Sequence, residues 1–494
     1  MAEDSATGGE SEGTRVARFD WRTGAVVVVV AVTVLIGMMV LAEGTEEKTP
    51  RPRPSEPALT ELDFAVWGTT EEIAAYQSVV DTYNAKSLDT NVTISSWPTV
   101  AAMLTDVRSG RAKPDLYLLP RSELAETIAE KRNLPLLDLV AEREIPIGDD
   151  FAREAVEAFS VDNDLQCMPY TVSPMVIYYN TKLVDFDAMA AEDLPVPKPD
   201  HLAWNFAEFR AAAEFASRPR LNTRGVHIDP TLRGLAPFIY SGGGQVFNEA
   251  DEPTSLTLGE DGSVDALRQT LELLRDPRLT LSTKQLAQRP ALKWFERGKL
   301  GMIAGFRNLT PQLRASGVDF DVMPMPNLGS AQTVGDLNGI CLSRGKASRT
   351  GAAANFLSYL VEDDAVGTLA ETGYIEPAKR TVALSDQFLQ PDLMPEHAVV
   401  FTNAVRSIVP SPLMQQGAEL RALVDPDIED LLTTPFFKDL RESLLAIDEK
   451  SRSLLDPDYE PSDAPSEGSS DGTSPSGTAS SSASSSATDD RERD

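Results

Sequence analysis

One apolar stretch near the N-terminus constrains this chain more than any other feature. Residues 24–42 (GAVVVVVAVTVLIGMMVLA) contain no charged side chain and a single hydroxyl group. A helix needs about 20 such residues to cross the hydrocarbon core of a bilayer, whereas the apolar core of a secretory signal peptide has about 7–15. We therefore predict a transmembrane helix that acts as an uncleaved signal anchor. Cleavage after Ala42 is the alternative, because small residues stand near that position.

The charges beside this span say little about its orientation. Three basic residues precede the span and three follow it, at Arg15, Arg18 and Arg22, and at Lys48, Arg51 and Arg53. The positive-inside rule therefore gives nearly a tie. A short N-terminal segment followed by one span and a large domain usually exports the domain, so we expect residues 1–23 in the cytoplasm and the large domain on the extracellular side of the cell membrane.

Charge and residue usage exclude several classes of function. The formal net charge is −31 over 494 residues, whereas a nucleic-acid-binding protein needs a basic surface. The histidines at positions 201, 227 and 397 are far apart and match no metal-ligand spacing,. No phosphate-binding loop or nucleophile motif occurs either. We therefore expect no nucleic-acid partner, no metal, no cofactor and no enzymatic activity.

Two polar segments frame the globular part of the chain. Residues 43–60 are rich in proline and charge, which predicts a stiff linker. Residues 456–494 are rich in serine and aspartate and contain few apolar side chains, so we expect a disordered tail. The segment between them, 61–455, is long enough to form more than one lobe.

The first part of this segment alternates between strand and helix patterns. Strands are predicted at 62–67, 91–97 and 114–120, and a helix follows each. Thr69 and Glu72 form a capping box at the start of the first helix,. Such alternation with short connections predicts an α/β fold with parallel strands. Ligands of such sheets bind beyond the C-terminal ends of the strands, where Trp67 and Pro120 lie.

Seven short motifs occur in the later segments, at 168–183 (MPYTVSPMVIYYNTKL), 204–209 (WNFAEF), 238–247 (FIYSGGGQVF), 294–305 (WFERGKLGMIAG), 338–343 (NGICLS), 352–360 and 373–377 (GYIEP). In type and order they resemble the motifs of family 1 extracellular solute-binding proteins, the maltose-binding-protein-like receptors of ABC importers. The resemblance implies a periplasmic-binding-protein type II fold, in which hinge strands join two α/β lobes that close on a ligand. This domain would follow the N-terminal transmembrane helix.

The resemblance also implies how the chain divides between the lobes. The first lobe would comprise about 61–167 and 342–390, the second about 172–338 and 395–445, and the crossovers about 166–172 and 338–342. Cys167 and Cys341 would then lie on neighbouring hinge strands. In an exported protein they could form a disulfide, and the alternative is two buried thiols that pack as small apolar groups.

A ligand-binding cleft between the lobes follows from the same resemblance. Trp67 is a candidate for stacking on a sugar ring, and the alternative is a core tryptophan. Thr69 and Thr70 could offer hydroxyl or amide groups to a ligand, although helix capping explains them equally well. Arg121 and Ser122 occupy a loop that faces the sugar in relatives.

Further candidates come from the second lobe and the hinge. The predicted ligand-binding set also includes Tyr170, Arg233, Gly243, Arg307, Met414 and Gln415. Arginines at 121, 233 and 307 facing one cleft would favour a carboxylate or phosphate, and thus an acidic or phosphorylated sugar. The alternatives are solvated surface arginines, and a surface helix start at 414–416.

These observations together predict a monomeric, membrane-tethered receptor that captures a carbohydrate and hands it to an ABC permease. Three alternatives remain open. The same fold could bind a non-sugar solute such as an organic anion or a polyamine, or it could act as a surface sensor or scaffold without transport. A hydrolytic enzyme on an unrelated α/β fold is disfavoured, because no nucleophile–base pair is present.

Overall fold

A computed structural model of the chain describes residues 59–434 and 439–460. The predicted anchor at 24–42, nearly all of the predicted linker and most of the predicted tail lie outside these residues. Among the residues that are described, no helix combines the length and the apolar character needed to cross a membrane.

The strands of the described region form a six-stranded sheet, a four-stranded sheet and a small hairpin. The strands are β1 (Thr60–Trp67), β2 (Thr90–Trp97), β3 (Leu116–Pro120), β4 (Asn133–Leu134), β5 (Ser160–Val161), β6 (Asp164–Leu165), β7 (Met168–Pro174), β8 (Val176–Asn180), β9 (Arg224–His227), β10 (Leu300–Gly305), β11 (Phe320–Pro324) and β12 (Gly335–Ser343). The larger sheet has the order β2-β1-β3-β12-β4, with β7 paired to β12. The smaller sheet has the order β11-β8-β10-β9, and β5 pairs with β6.

Helices pack around both sheets. The α-helices are α1 (Thr70–Lys86), α2 (Val100–Arg108), α3 (Leu124–Ala129), α4 (Leu137–Glu142), α5 (Ile147–Asp150), α6 (Arg153–Ala158), α7 (Phe186–Ala191), α8 (Phe206–Ala216), α9 (Leu232–Ser241), α10 (Asp261–Leu274), α11 (Thr283–Gln288), α12 (Ala291–Glu296), α13 (Thr310–Ser316), α14 (Ala347–Leu360), α15 (Asp363–Ala370), α16 (Arg380–Ala383), α17 (Asp386–Leu389), α18 (Val399–Ala404), α19 (Gly417–Thr433) and α20 (Leu440–Leu455). Short 3-10 segments occur at Arg121–Glu123, Pro219–Leu221, Arg307–Leu309 and Val405–Ser407.

The predicted α/β order of the first lobe is confirmed. Strand β1 pairs in parallel with both β2 and β3. The capping box at the start of α1 is present as well. The Thr69 hydroxyl accepts the Glu72 N–H at 3.2 Å, and the Glu72 carboxylate accepts the Thr69 N–H at 2.8 Å. This reciprocal pair satisfies two donors that the first turn of a helix otherwise leaves unpaired.

The four-stranded sheet of the second lobe is buried on both faces. Along β8, Val176 and Tyr178 belong to the apolar cluster that extends into the first lobe, whereas Ile177 and Tyr179 belong to the cluster of the second lobe. Alternate side chains of a strand point to opposite faces, so both sets are apolar. This explains why the sequence shows a continuous apolar run here rather than an alternating one.

Two neighbouring strands connect the sheets. Strand β7 belongs to the larger sheet and leads at once into β8 of the smaller sheet, and β12 brings the chain back after β11. The two strands pair in antiparallel orientation, and every residue of β7 is buried. Cys167, which directly precedes β7, and Cys341, within β12, form a disulfide with their Cα atoms 4.3 Å apart. The result is a mixed α/β fold of two lobes joined at this pair of strands.

Candidate functional site

A cavity of about 240 Å³ lies between the two lobes. One wall comes from the loop after β3 in the first lobe, and the opposite walls come from α9, the segment before α19 and the start of α19. The N-terminal half of β12 contributes the floor. The lining residues are Pro120, Arg121, Ser122, Leu232, Arg233, Ala236, Tyr240, Val246, Phe247, Val334, Gly335, Asp336, Leu337, Val409, Pro410, Ser411, Pro412, Leu413, Met414, Gly417, Leu420 and Arg421. Four of the residues predicted from sequence, Arg121, Ser122, Arg233 and Met414, therefore meet in one place.

Arg121 bridges two sides of this cavity. Its Nε donates to the Ala158 carbonyl at 2.9 Å, and its Nη1 donates to the Ser411 carbonyl at 2.6 Å. Within the described part of the chain it has no carboxylate partner, and burial lowers the pKa of its guanidinium. The positive charge is thus held at the cavity by neutral carbonyl groups and remains uncompensated.

Two further arginines stand on the second-lobe side. The Arg233 guanidinium lies 4.4 Å from the centre of the Phe306 ring, and its Nη2 donates to the Gly335 carbonyl at 3.1 Å. Its Nη2 is also 3.5 Å from Asp336. Arg421, in the first turns of α19, forms no ion pair with any described residue. Because Asp336 is the acidic residue among the lining side chains, the cavity carries an excess of positive charge.

Two aromatic side chains of the cavity were missed as ligand candidates. Tyr240 ends α9 and Phe247 follows the glycine-rich turn, and both are half-buried beside the arginines. Burial raises the pKa of the Tyr240 hydroxyl, so the side chain is neutral at physiological pH. Both residues lie within the segment 238–247 that carries the family resemblance, and that segment was the available signal. No such motif surrounds Arg421, so the sequence did not identify it as a ligand candidate.

Arg307 does not face the cleft, and this prediction is wrong. Its side chain is completely buried next to the hinge, where its Cζ lies 4.5 Å from the Phe388 ring centre and 5.3 Å from that of Phe401. Its Nη2 donates to the Phe388 carbonyl at 3.1 Å. Burial lowers its pKa to about 10 and raises the pKa of the neighbouring Glu376 well above its ordinary value.

Two predicted ligand contacts lie away from the cavity: Tyr170 is a core residue, and the half-buried Trp67 packs against the core. Tyr170 lies in β7, is 1% exposed and stacks on Tyr76 with ring centres 6.4 Å apart. Its position inside the first lobe excludes contact with a solute in the cavity. Trp67 packs against the same core, and its indole N–H donates to the Leu118 carbonyl at 3.0 Å. The structure thus matches the alternative in which Trp67 covers the end of the sheet.

The remaining candidates lie outside the cavity lining. Thr69 and Thr70 are exposed at the start of α1, where Thr69 caps the helix. Gly243 is exposed in the turn after α9 and has a φ of 85°, a left-handed conformation that glycine adopts without strain. Gln415 is exposed beside Met414, which does line the cavity.

A cluster that contains two of the three histidines was also missed. In the folded chain the His201 and His397 rings have centres 3.8 Å apart, and both rings face Asp321. The sequence did not reveal this arrangement, because the three residues are far apart along the chain. His201 lies in the loop before α8, Asp321 lies in β11, and His397 lies just before α18.

The sequence matches the family of bacterial extracellular solute-binding proteins over residues 78–396. This match covers more than half of the chain, and the chain belongs to that family. The resemblance derived from the sequence is therefore confirmed. No curated protein sequence matches the chain.

Solved structures agree on the fold. An ABC substrate-binding protein from Listeria monocytogenes in complex with cycloalternan is 17% identical, with a TM-score of 0.67 over 80% of this chain and 98% of the other. The cyclic α-maltosyl-1,6-maltose binding protein from Arthrobacter globiformis is 15% identical, with a TM-score of 0.66 over 80% and 99%. The GacH receptor of Streptomyces glaucescens is 18% identical, with a TM-score of 0.64 over 81% and 100%.

Proposed function

We propose that this protein captures a carbohydrate in the cavity between its lobes and delivers it to the permease of an ABC importer. The observation that carries the proposal is the composition of the cavity, where Tyr240 and Phe247 accompany three arginines. Aromatic rings pack on the apolar faces of sugars, and a few well-placed polar groups then fix the orientation of a ligand. The structural neighbours from L. monocytogenes and A. globiformis bind cycloalternan and cyclic maltosyl-maltose, which are saccharides.

The charge of the cavity favours a sugar that carries an acidic group. Arg121 has no carboxylate partner among the described residues, Arg421 interacts with Asp425 one turn further along α19 without forming a close ion pair, and Arg233 lies 3.5 Å from Asp336. Guanidinium groups bind carboxylates and phosphates with two parallel hydrogen bonds. On a chain whose net charge is −31, a positive cavity is a local feature that attracts anions. We therefore expect a sugar acid or a sugar phosphate to bind more tightly than a neutral sugar.

A second candidate ligand is a small organic anion without a sugar ring. The same excess of arginine over acidic residues supports it, and a cavity of about 240 Å³ is below the usual range of roughly 300–1,000 Å³ for ligand pockets. The two candidates differ in their need for the aromatic side chains, because a small carboxylate has no ring face for Tyr240 or Phe247 to contact.

The remaining parts of the proposal concern where and how the protein works. Residues 24–42 would tether a monomeric receptor to the cell membrane, with the two lobes outside the cell and the linker holding them clear of the bilayer. The solute would select a closed arrangement of the lobes from a pre-existing ensemble. The protein would act by binding alone, without catalysis.

Thermal unfolding with a ligand panel tests this proposal. The described residues from Leu59 onward belong to one compact unit, and the protein can be heated in the presence of sugars, sugar acids, sugar phosphates and simple organic anions. A ligand at 100 times its Kd should stabilise the protein by about 2.7 kcal/mol. A shift with sugar acids or sugar phosphates supports the proposal, and one with simple anions alone favours the second candidate. A flat panel would favour a sensor or scaffold role.

A matched pair of variants then locates the site. We expect Arg421→Gln to weaken binding of the acidic ligand about tenfold, because one charged hydrogen bond is lost. Arg153→Gln serves as the control, since Arg153 is exposed on α6 and pairs only with Glu157. Equal affinities for the two variants, measured by calorimetry, would place the ligand elsewhere.

A further inference from the structure

Three side chains from distant parts of the sequence converge outside the cleft. Asp321 is the second residue of β11, the edge strand of the smaller sheet. His201 lies in the loop that precedes α8, and His397 lies just before α18. The ligand-type atoms of the three residues all lie within 4.8 Å of one another. None of the three lines the cavity between the lobes, so the cluster is separate from the proposed solute site.

One carboxylate oxygen is directed at both imidazole rings. Asp321 Oδ2 lies 2.5 Å from His397 Nδ1 and 3.6 Å from His201 Nδ1. The other oxygen, Oδ1, accepts the backbone N–H groups of Val322 at 2.9 Å and His397 at 3.0 Å. These bonds fix the orientation of the carboxylate, in the way that outer hydrogen bonds orient the ligands of a metal ion.

His201 contributes a second, independent observation. Its Nδ1 atom is buried and has no hydrogen-bond partner in the described part of the chain, and the whole residue is 9% exposed. A buried polar atom without a partner is unfavourable by about 1–3 kcal/mol. Asp321 Oδ2 lies 3.6 Å away, beyond hydrogen-bond distance, and an ion between the two atoms would give His201 Nδ1 a partner.

The surrounding charge favours a cation. Besides Asp321, the carboxylates of Asp200 and Glu396 act on His201. Two imidazoles among three carboxylates give a net negative environment when the rings are neutral. Solvent reaches the cluster from one side, because 26% of the His397 side chain is exposed. An ion would thus have an entry path from solvent.

We propose that His201, Asp321 and His397 form a binding site for zinc or a similar divalent transition metal. Two imidazole nitrogens and one carboxylate oxygen are ligands that zinc accepts at about 2.0–2.2 Å, with water in the fourth position. Ligand atoms around a tetrahedral ion of this size stand about 3.4 Å apart. The 3.6 Å between His201 Nδ1 and Asp321 Oδ2 is already close to this value. The 2.5 Å between His397 Nδ1 and Asp321 Oδ2 would have to lengthen by roughly 1 Å,.

The bound ion would connect three segments of the second lobe. It would join the loop before α8 and the segment before α18 to β11, whose outer edge has no strand partner among the described residues. The expected effect is a more stable second lobe, independent of any solute in the cleft. Magnesium and calcium do not suit the site, because they prefer oxygen ligands.

Zinc binding to the full-length, tag-free chain tests the proposal. After treatment with a chelator and its removal, titration calorimetry with zinc sulfate should show one site, and saturation should raise the melting temperature by more than about 3 °C. Cobalt should give the intense visible absorption of a tetrahedral complex, and magnesium should give no response. A folded chain that binds no zinc would overturn the proposal and leave the cluster as a hydrogen-bonded group.

Variants assign the binding to these residues. His397→Gln should weaken zinc binding at least tenfold, since even outer hydrogen-bond partners of metal ligands contribute about 10–100-fold. His201→Gln should have the same effect and replaces the first variant if that one fails to fold. The matched control is His227→Gln, because His227 is also buried and lies 3.2 Å from Asp229, but no third ligand joins them among the described residues. Unchanged affinity in both cluster variants, or equal loss in the control, would contradict the assignment.

Discussion

The hinge and the cleft use the same residue type in opposite ways. At the hinge, Arg307 is completely buried between two phenylalanine rings and beside Glu376, whose carboxylate oxygens have no hydrogen-bond partner among the described residues. In the cleft, Arg233 is 45% exposed at its side chain, and Arg421 is exposed as well. The hinge arginine is therefore available only to the protein, whereas the cleft arginines are available to a ligand.

This difference indicates which property each region controls. A buried charge depends on the fold that surrounds it, and removing its contacts lowers stability. An exposed arginine contributes little to stability, because water solvates it in the folded and unfolded states alike. We therefore expect hinge substitutions to change the free energy of unfolding and cleft substitutions to change the affinity for a solute.

The largest expected effect is at the hinge disulfide. Cys167 and Cys341 are 174 residues apart in sequence, and a bond closing so long a loop stabilises a protein by about 5 kcal/mol in the chain-entropy treatment. The double variant Cys167→Ala/Cys341→Ala should lose about this amount in urea unfolding and should no longer respond to a reductant. Two reactive thiols in the denatured, non-reduced wild type would show that the bond does not form.

The next largest effect is a loss of stability at the hinge that the matching cleft substitution does not share. Arg307→Ala should lower the free energy of unfolding by about 3 kcal/mol, because it leaves a cavity and removes the ring contacts and a charged hydrogen bond to the Phe388 carbonyl,. Arg233→Ala is the matched control and should change stability by no more than about 0.5 kcal/mol, while weakening solute binding. Equal losses of stability in chemical denaturation would remove the distinction between hinge and cleft.

A further effect at the hinge depends on pH and is small only at about pH 4.3. Burial raises the pKa of Glu376 in the folded chain, so between its unfolded and folded pKa values the folded state holds a proton that the unfolded state releases. The resulting stabilisation is complete below about pH 4.3 and declines as pH rises. We expect Glu376→Gln to become progressively more stable than the wild type above that pH, by up to about 1.4 kcal/mol per pH unit.

Denaturation of both proteins at several pH values measures this difference. A pH-independent gap between Glu376→Gln and the wild type would mean that Glu376 is not buried as described. Glu71→Gln provides the control, since Glu71 is exposed in the first turn of α1.

Much of the fold could be predicted from local patterns. The strands at 62–67, 91–97 and 114–120 were each found within two residues of their observed bounds, because alternating strand and helix periodicity is a local property. The capping box at Thr69 and Glu72 could be recognised for the same reason, as its two partners are three residues apart.

The site could be predicted only in part. Arg121, Ser122, Arg233 and Met414 follow motifs that end at the cleft, and they do meet there. Arg307 and Tyr170 follow similar motifs but turn into the interior. The direction of a side chain at the end of a strand depends on what packs against it, and for Arg307 that is Phe388 and Phe401 from another part of the chain.

The sequence alone thus determined the α/β class, the family and the loops that approach the cleft, because these depend on periodicity and on motif order along the chain. The tertiary structure decided which arginines face the ligand, brought Tyr240 and Phe247 to the cavity, and placed His201 beside His397 and Asp321. Such contacts join residues far apart in sequence. They arise only when distant segments of the folded chain pack together, and no local pattern records them.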